Sequence, residues 1–315
     1  MTRGDLLDLL GETFQSGASL GRKLGLSRVA VYKQVMKLRR EGYPVEVRRG
    51  RGYRLAPGTP SPGLLTGRLR GSYGRAYRYL GRVDSTQDEL RRWAESGAPE
   101  GAVVVAEEQT AGRGRRGRSW TSPPGAGLYV SLLLRSRLAS ADLLRLSLAA
   151  GVAVVETTGV GGLKWPNDVL APDGRKLAGV LVEAQFRGEE SEAVYLGVGI
   201  NVHASALPPE AAYLEEFSAG RRRVDVLVQL LDRLEFWCPK VADAAAVCEA
   251  WRRRSCMLGR TVCVVTPAQM LEGVAEDVEE DGRLRLRDAE GRIHRLGAGE
   301  VSLGFQGTGR ESRPA

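Results

Sequence analysis

Residues 110–120 of this 315-residue chain read T-A-G-R-G-R-R-G-R-S-W, and the rest of the sequence is organised around this stretch. Three glycines are interleaved with four arginines, so backbone N–H groups can approach an anion while guanidinium groups close over it. The pattern favours a phosphate-binding loop. A flexible Arg/Gly-rich segment that touches nucleic acid would have a similar composition, and the loop alone leaves both interpretations open.

The positive charge of the chain is concentrated at its N-terminus. The sequence has 46 Lys+Arg and 38 Asp+Glu, a net charge of +8. Residues 1–56 hold 12 of the basic and 5 of the acidic residues, which leaves a nearly balanced 34 and 33 for the remainder. A small basic segment joined to a neutral body predicts that the segment binds a polyanion and that the body has another task.

Length and composition exclude several classes of protein. With 43% hydrophobic residues, the chain is long enough for two or three domains. It has no apolar run of 18 residues and no signal-peptide pattern, so we expect a cytoplasmic protein without a membrane segment. Four cysteines without a C-x-x-C pair and only two histidines argue against a zinc site and histidine-based triads.

The first 56 residues have the spacing of a winged helix-turn-helix domain. Apolar periodicity predicts a first helix over Asp5–Phe14. Ser19 is expected to cap a short helix over Leu20–Leu24, and Ser27 a longer one that ends near Arg40. The following residues predict a tight hairpin with arginines at its tip.

Basic residues on the third helix and the hairpin tip are typical of a DNA-binding surface. A three-helix interaction module with solvated charges is the alternative. The residues expected to contact DNA are Ser27, Arg28, Tyr32, Lys33 and Lys37 on the helix, with Arg49 and Arg51 at the tip.

Proline, glycine and serine dominate A-P-G-T-P-S-P-G at 56–63, which predicts a linker over residues 57–63 and independent motion of the parts it joins. Alternating strand and helix patterns predict a central α/β domain over residues 64–257. Short strands with Asp-Gly and Glu-Gly turns predict a small β-barrel over 258–303, and 304–315 is expected to be a disordered tail.

Predicted strands of the central domain cover Tyr77–Val83, Ala102–Glu107, Leu128–Leu134, Val180–Gln185 and Val194–Asn201. Predicted helices cover Thr86–Ser96, with a capping box from Thr86 to Glu89, Ser140–Glu156, Val224–Trp237 and Ala244–Arg254. The predicted strands of the barrel cover Thr261–Thr266, Leu271–Val278, Arg283–Arg287, Ile293–Leu296 and Glu300–Leu303.

Further motifs of the central region carry polar or small residues where strands end. K-W-P-N-D at 164–168 offers an amide and a carboxylate for Mg²⁺ or nucleotide, or forms only a turn. R-K-L-A-G at 175–179 places Lys176 before an apolar run, where a buried ammonium needs an anion. G-V-G-I-N at 197–201 admits a flat ligand or another backbone, although a bulge or tight sheet packing would explain the same glycines.

These three motifs and G-R-G-R-R-G at 112–117 make four. They occur in the order and spacing of the bifunctional biotin–protein ligases that double as biotin-operon repressors. The chain resembles this family from about Asp5 to Leu303. The resemblance implies an α+β multidomain fold: an N-terminal winged helix-turn-helix, a central α/β ligase domain with a mixed sheet like that of class II synthetases, and a C-terminal SH3-like β-barrel. Lipoate ligases, with a different Arg-Gly-Gly signature and no such N-terminal module, are a weaker match.

The resemblance also implies the chemistry and the partners. Biotin and ATP, with Mg²⁺, would form biotinyl-5'-AMP, and a lysine of a biotin carboxyl carrier protein, an acetyl-CoA carboxylase subunit, would then displace AMP. The adenylate-bound protein would form a homodimer on operator DNA of biotin genes. A pure biotin-sensing regulator and a ligase that has lost DNA binding are the competing classes.

Site residues follow from the motifs that match the family. The catalytic set is Lys176, Arg115 and Asp168, with Asp168 as a Mg²⁺ contact through the nucleotide. The biotin-binding set is Ser85, Thr86, Gln87, Gln109, Gly112, Arg113, Gly114, Arg115, Lys176 and Gly179. The ATP-binding set is Arg115, Arg116, Trp120, Lys164, Asn167, Asp168, Lys176 and Asn201. Gln87 departs from the family, which usually has Asn or Asp there.

Overall fold

The structure is a computed structural model that describes residues 4–135 and 137–303. Within these ranges the helices are α1 (Gly4–Leu9), α2 (Gly17–Leu24), α3 (Arg28–Arg40), α4 (Pro62–Leu65), α5 (Thr86–Glu95), α6 (Asp142–Thr158), α7 (Arg223–Trp237) and α8 (Ala244–Arg252). The strands are β1 (Val45–Arg48), β2 (Gly52–Leu55), β3 (Tyr77–Val83), β4 (Val103–Gln109), β5 (Gly127–Leu134), β6 (Gly162–Lys164), β7 (Asp168–Leu170), β8 (Lys176–Arg187), β9 (Glu190–Asn201), β10 (Thr261–Val265), β11 (Met270–Val278), β12 (Leu284–Arg287), β13 (Ile293–Leu296) and β14 (Glu300–Leu303).

The N-terminal region is a helix-turn-helix followed by the β1–β2 hairpin. Ser27 caps α3 as predicted, because its hydroxyl accepts from the N–H of Ala30 at 3.1 Å. Two predictions were wrong. The first helix ends at Leu9 and not at Phe14, since the chain after it turns to bridge Tyr53. The second helix begins at Gly17, and its N-cap is Ser16 rather than Ser19.

Residues 57–63 are packed against the protein, in contrast to the expected freely moving linker. Thr59 and Ser61 are fully buried, and α4 begins inside the segment. Glu12 of the N-terminal region accepts from the backbone N–H of Gly58 and pairs with Arg222, which immediately precedes α7. Through Glu12 the N-terminal region is therefore held both to this segment and to the start of α7 in the central domain.

The central sheet is mixed, as predicted, with strand order β3-β4-β5-β9-β8-β7-β6. Only the β3–β4 pair is parallel among its described pairs. Alternate residues of β4 face opposite sides: Val103 and Val105 join the main core, whereas Val104 packs with Leu90 of α5. The predicted Thr86–Glu89 capping box is wrong, since the side chain of Ser85 caps α5. The last helix ends at Arg252 rather than Arg254.

The C-terminal region is an antiparallel five-stranded sheet with order β13-β12-β11-β10-β14. All five predicted strands are confirmed to within one residue at each end. The predicted tail at 304–315 lies outside the described residues. None of the helices in 4–135 and 137–303 is long and apolar enough to cross a membrane.

Candidate active site

The glycine-arginine loop is a small hairpin closed on itself between β4 and β5. The N–H of Gly114 donates to the carbonyl of Arg118 at 2.7 Å, and the N–H of Trp120 to that of Gly112 at 2.8 Å. Arg116 (φ +55°) and Gly117 (φ +73°) form its left-handed turn. Residues of the hairpin line a pocket together with residues of β5, β8 and β9.

This pocket, a cavity of about 130 Å³, collects side chains from six segments of the chain. Of the predicted site residues, its lining includes Ser85, Thr86, Gln87, Gln109, Arg113, Gly114, Arg115, Trp120, Asn167, Lys176 and Gly179. Gly112, within the loop, is buried, and its carbonyl accepts from the N–H of Trp120. The motifs that were separate in sequence therefore meet at one site.

Hydrogen bonds fix the polar end of the pocket. The Oε1 of Gln109 accepts from the backbone N–H of Thr86 at 2.9 Å and from its hydroxyl at 3.0 Å, while its Nε2 donates to Ser122 at 2.8 Å. The hydroxyl of Ser131 lies 2.9 Å from Thr86 Oγ1 and 2.8 Å from Gln87 Oε1. Ser131 was not predicted as a site residue, because it lies within the apolar run of β5.

Trp120 lies flat on the sheet in a slot made by two glycines. Gly179 and Gly199 are direct partners in the β8–β9 register. A Cβ at Gly199 would lie 2.5 Å from the indole, and one at Gly179 would lie 3.2 Å from it. The expected close approach at Gly199 is thus made by Trp120 of the chain itself, which forms one wall of the pocket.

Asp168 joins the two lysines of the site. Its Oδ1 lies 2.7 Å from the Nζ of Lys176 and its Oδ2 lies 3.4 Å from the Nζ of Lys164. The carboxylate is mostly buried, with 13% of its side chain exposed. One negative charge between two ammonium groups leaves the mouth of the pocket positive, which suits an anionic ligand.

The arginines of the loop differ in their partners. Arg115 donates to Asn167 Oδ1 at 3.1 Å, and Asn167 is itself held to β8 through the carbonyl of Val180. Burial and the adjacent charge of Arg116 lower the pKa of Arg115, which makes it a cation in need of an anion. Arg113 instead pairs with Asp88 at 2.8 Å and with Glu183 at 3.2 Å.

The C-terminal sheet closes one side of the site. Arg118 forms an ion pair with Glu300 of β14. A second cavity of about 150 Å³ lies between the loop, the K-W-P-N-D turn and β14, and Arg116, Lys164 and Asp168 line it. The sequence predicted Arg118 only as one of the four arginines of the loop and did not predict its partner Glu300, since nothing local indicates that these two segments meet.

Asn201 is buried below a third cavity, of about 240 Å³, which Trp120 and Lys176 also line. Its Nδ2 donates to the carbonyls of Ala212 at 3.1 Å and Lys176 at 3.3 Å. Its amide nitrogen is thus already used, and only Oδ1 is left for the predicted contact with ATP.

The predicted DNA-binding residues are all exposed to solvent. Ser27, Arg28, Tyr32, Lys33 and Lys37 are exposed along α3, and Arg49 and Arg51 are exposed at the hairpin tip. The guanidinium of Arg51 lies 4.9 Å from the centre of the Phe14 ring. The helix and the tip thus present exposed positive charge to solvent.

Three family models match the chain in order: an HTH domain over residues 3–54, the biotin/lipoate A/B protein ligase family over 79–201, and the biotin protein ligase C-terminal domain over 257–304. The bifunctional ligase/repressor BirA of Bacillus spizizenii is 33% identical to it, over 96% of this chain and 98% of the relative. The chain belongs to the biotin–protein ligase family.

Other members of the biotin–protein ligase family support this placement. The bifunctional ligase/repressor BirA of Escherichia coli is 32% identical over 92% of this chain and 93% of its own length. A biotin protein ligase from Aquifex aeolicus, solved in complex with biotin and ATP, superposes with a TM-score of 0.59 at 31% identity. That match covers 73% of this chain and 99% of the Aquifex protein.

Proposed function

We propose that the chain is an ATP-dependent biotin–protein ligase and a biotin-responsive transcriptional repressor. In the first step an oxygen of the biotin carboxylate attacks the α-phosphorus of ATP, and pyrophosphate leaves. In the second, the amine of a carrier-protein lysine attacks the carbonyl of biotinyl-5'-AMP, and AMP leaves as the amide forms. The convergence of four family motifs on one pocket is the observation that carries this proposal.

Negative charge accumulates on the α-phosphoryl oxygens in the first step, so the site works by placing cations there. Lys176 is within reach of both the biotin carboxylate and the α-phosphate, and Asp168 holds its ammonium group in place. Arg115 and Arg116 clamp the phosphates. No side chain of the site has to act as a nucleophile.

The two substrates occupy opposite ends of the site. The ureido ring of biotin lies at the end formed by Ser85, Thr86, Gln87 and Gln109, in a pocket with apolar walls. Arg113, Gly112, Gly114 and Gly179 border this end. The nucleotide extends past Trp120 toward Lys164, Asn167 and Asn201.

In this proposal Mg²⁺ enters the site bound to the nucleotide and is not held by a set of protein ligands. Both oxygens of Asp168 face lysine ammonium groups. Among the described residues, no three His, Cys, Asp or Glu side chains come together as a metal site. Asp168 therefore does not fit a dedicated Mg²⁺ ligand, and the proposed steps rest on the cationic side chains.

The repressor role rests on the N-terminal region. The β1–β2 hairpin acts as a wing beside α3, whose residues enter the major groove while Arg49 and Arg51 contact phosphates. The adenylate-bound protein forms a homodimer on operator DNA of the biotin genes. In its other role it meets the biotin carboxyl carrier protein of acetyl-CoA carboxylase.

The proposed domains are 1–56 for DNA binding, 57–63 as a packed connection, 64–257 for catalysis and 258–303 as an SH3-like barrel. The sheet of this last domain places Glu300 beside the loop, so it contributes to the site. We place the protein in the cytoplasm, where ATP and the carrier protein are found.

One experiment tests the ligase: the protein is incubated with biotin, ATP, Mg²⁺ and a biotin carrier domain, and the carrier is weighed by mass spectrometry. A mass increase of one biotinyl group, dependent on ATP, is expected. No increase would reject the ligase. A gel shift with and without biotin on upstream DNA of the biotin genes tests the repressor, which requires tighter binding with biotin and ATP.

A further inference from the structure

The backbone of Lys176 is hydrogen-bonded to a segment that is distant in sequence. Its N–H donates to the carbonyl of Glu210 at 3.1 Å, and its carbonyl accepts from the N–H of Ala212 at 2.9 Å. These two bonds form a parallel bridge between Lys176 and Ala211. Residues 207–216, here called the bridge segment, are therefore in register with the strand that carries Lys176.

The bridge segment is also a wall of the third cavity, to which it contributes Leu207, Pro208, Glu210 and Ala211. Its later half is held by the core, because Ala212 and Leu214 are fully buried. Residues 207–211 are only partly buried or exposed. The position of this earlier half, which lines the cavity, therefore depends on polar contacts.

Arg175 supplies such contacts from the position next to Lys176. Its Nε donates to Asp173 Oδ2 at 2.8 Å, its Nη1 donates to the carbonyl of Ala211 at 3.0 Å, and its Nη2 pairs with Glu216. Asp173 also accepts from the backbone N–H of Arg175 at 3.0 Å, which aims the guanidinium. Glu216 also accepts from the N–H of Tyr213 at 3.2 Å. One guanidinium thus holds the bridge segment at two points.

An isolated ion pair at this exposure would contribute little, because water competes for both partners. The side chains of Arg175 and Glu216 are 33% and 21% exposed. A planar guanidinium held by three acceptors is different, since the rigid fork of donors in arginine matches several oxygens at once. We therefore expect the contact to fix the local position of the bridge segment rather than the stability of the fold.

We propose that Arg175 is a positioning residue that fastens the bridge segment beside Lys176 and so keeps the third cavity in shape for the nucleotide. The inference rests on the proposed function and deepens it, because it gives a role to the first residue of R-K-L-A-G. Arg175 is not among the residues that line the three cavities, so it acts through the bridge segment. The ureido end of the pocket is formed by other segments and should not depend on it.

Pyrophosphate exchange by the full chain gives kcat and both KM values, and calorimetry gives biotin binding without turnover. Arg175→Gln is expected to raise the KM for ATP by about 5- to 20-fold, the effect of a charged hydrogen bond at a partly exposed site. The kcat and the affinity for biotin should stay within about twofold. Arg175→Lys keeps the charge but not the fork, so it should recover part of the loss. Arg187→Gln, at the exposed far end of β8, is the matched control.

Hydrogen exchange measures the contact without any turnover. The N–H of Ala212 is protected by the carbonyl of Lys176. Its exchange should become about tenfold faster in Arg175→Gln and in Glu216→Gln, but not in Arg187→Gln. The Arg175→Gln, Glu216→Gln double variant should exchange about as fast as either single variant, because both changes break the same contact.

Any of three results would overturn the proposal: a KM for ATP within about twofold of that of the unchanged protein, unchanged exchange at Ala212, or an equal loss of ATP and biotin binding. The last would indicate a general structural role for Arg175. Absence of pyrophosphate exchange in the unchanged protein would instead reject the ligase. Hydrogen exchange at Ala212 would then still decide whether Arg175 holds the bridge segment.

Discussion

The Nζ of Lys176 lies 2.7 Å from the Oδ1 of Asp168, and this pair joins the first residue of β8 to the first residue of β7 at the mouth of the pocket. The indole of Trp120 lies 5.3 Å from the same Nζ. A carboxylate and an aromatic face together fix the ammonium group without consuming all of its donors. Lys176 is therefore poised to meet an incoming anion.

Lys176→Ala is expected to lower the rate of adenylate formation by about 10²- to 10³-fold, because it removes the main cation from the developing charge on the α-phosphate. Pyrophosphate release from biotin and ATP measures it. Lys240→Ala, remote from the pocket, is the control. Normal release by the Lys176 variant, with an unchanged circular dichroism spectrum, would reject the assignment.

Arg115→Ala should let the intermediate escape, since it removes a phosphate clamp that is already aimed by Asn167 at 3.1 Å. Retention of labelled biotinyl-5'-AMP on a filter is expected to fall by about tenfold or more, the effect of one charged hydrogen bond. Arg253→Ala, at the exposed residue that follows α8, should retain it. Equal retention by the two variants would contradict the clamp.

Gly199→Ala should displace Trp120, because the added Cβ would lie 2.5 Å from the indole. We expect a changed tryptophan fluorescence spectrum. We also expect the KM for ATP to rise about tenfold, because overpacking of a well-filled site costs about 1–3 kcal/mol. A Cβ at Gly11 meets nothing within 4 Å, so Gly11→Ala is the control. An unchanged tryptophan fluorescence spectrum in Gly199→Ala would mean that the indole has not moved and that the slot is not the cause.

Glu107→Gln should destabilise the fold. Glu107 pairs with Arg223 at 2.9 Å, and both side chains are at most 4% exposed. Burial is the largest single effect and lowers the pKa of Arg223, but the charge and hydrogen bond of Glu107, together with Tyr79 and Tyr129, raise the pKa above its ordinary value. Removing the charge leaves a buried guanidinium, so the free energy of unfolding should fall by about 3–5 kcal/mol in urea titrations.

Glu108→Gln is the matched control for Glu107→Gln. Glu108 is the next residue of β4 and forms a partly exposed ion pair with Arg82. Its loss should cost less than about 1 kcal/mol. An equal loss for the two variants would mean that burial of the Glu107–Arg223 pair has no special weight.

Local patterns determined much of this protein from sequence. Ser27 predicted the start of α3, and turn residues predicted the five C-terminal strands, because capping and turn formation depend on neighbouring residues only. The motifs likewise named most residues of the pocket lining, including Lys176 and the glycine-arginine loop. Fold class and family followed from them.

Tertiary structure decided what depends on segments distant in sequence. Ser131 was missed because a single serine in an apolar strand carries no signal until Gln87 is packed against it. Glu300 was missed because β14 meets the loop only when the C-terminal sheet docks. The predicted linker became a buried connection for the same reason: Glu12 and Arg222 are brought together by packing, and no local propensity encodes that contact.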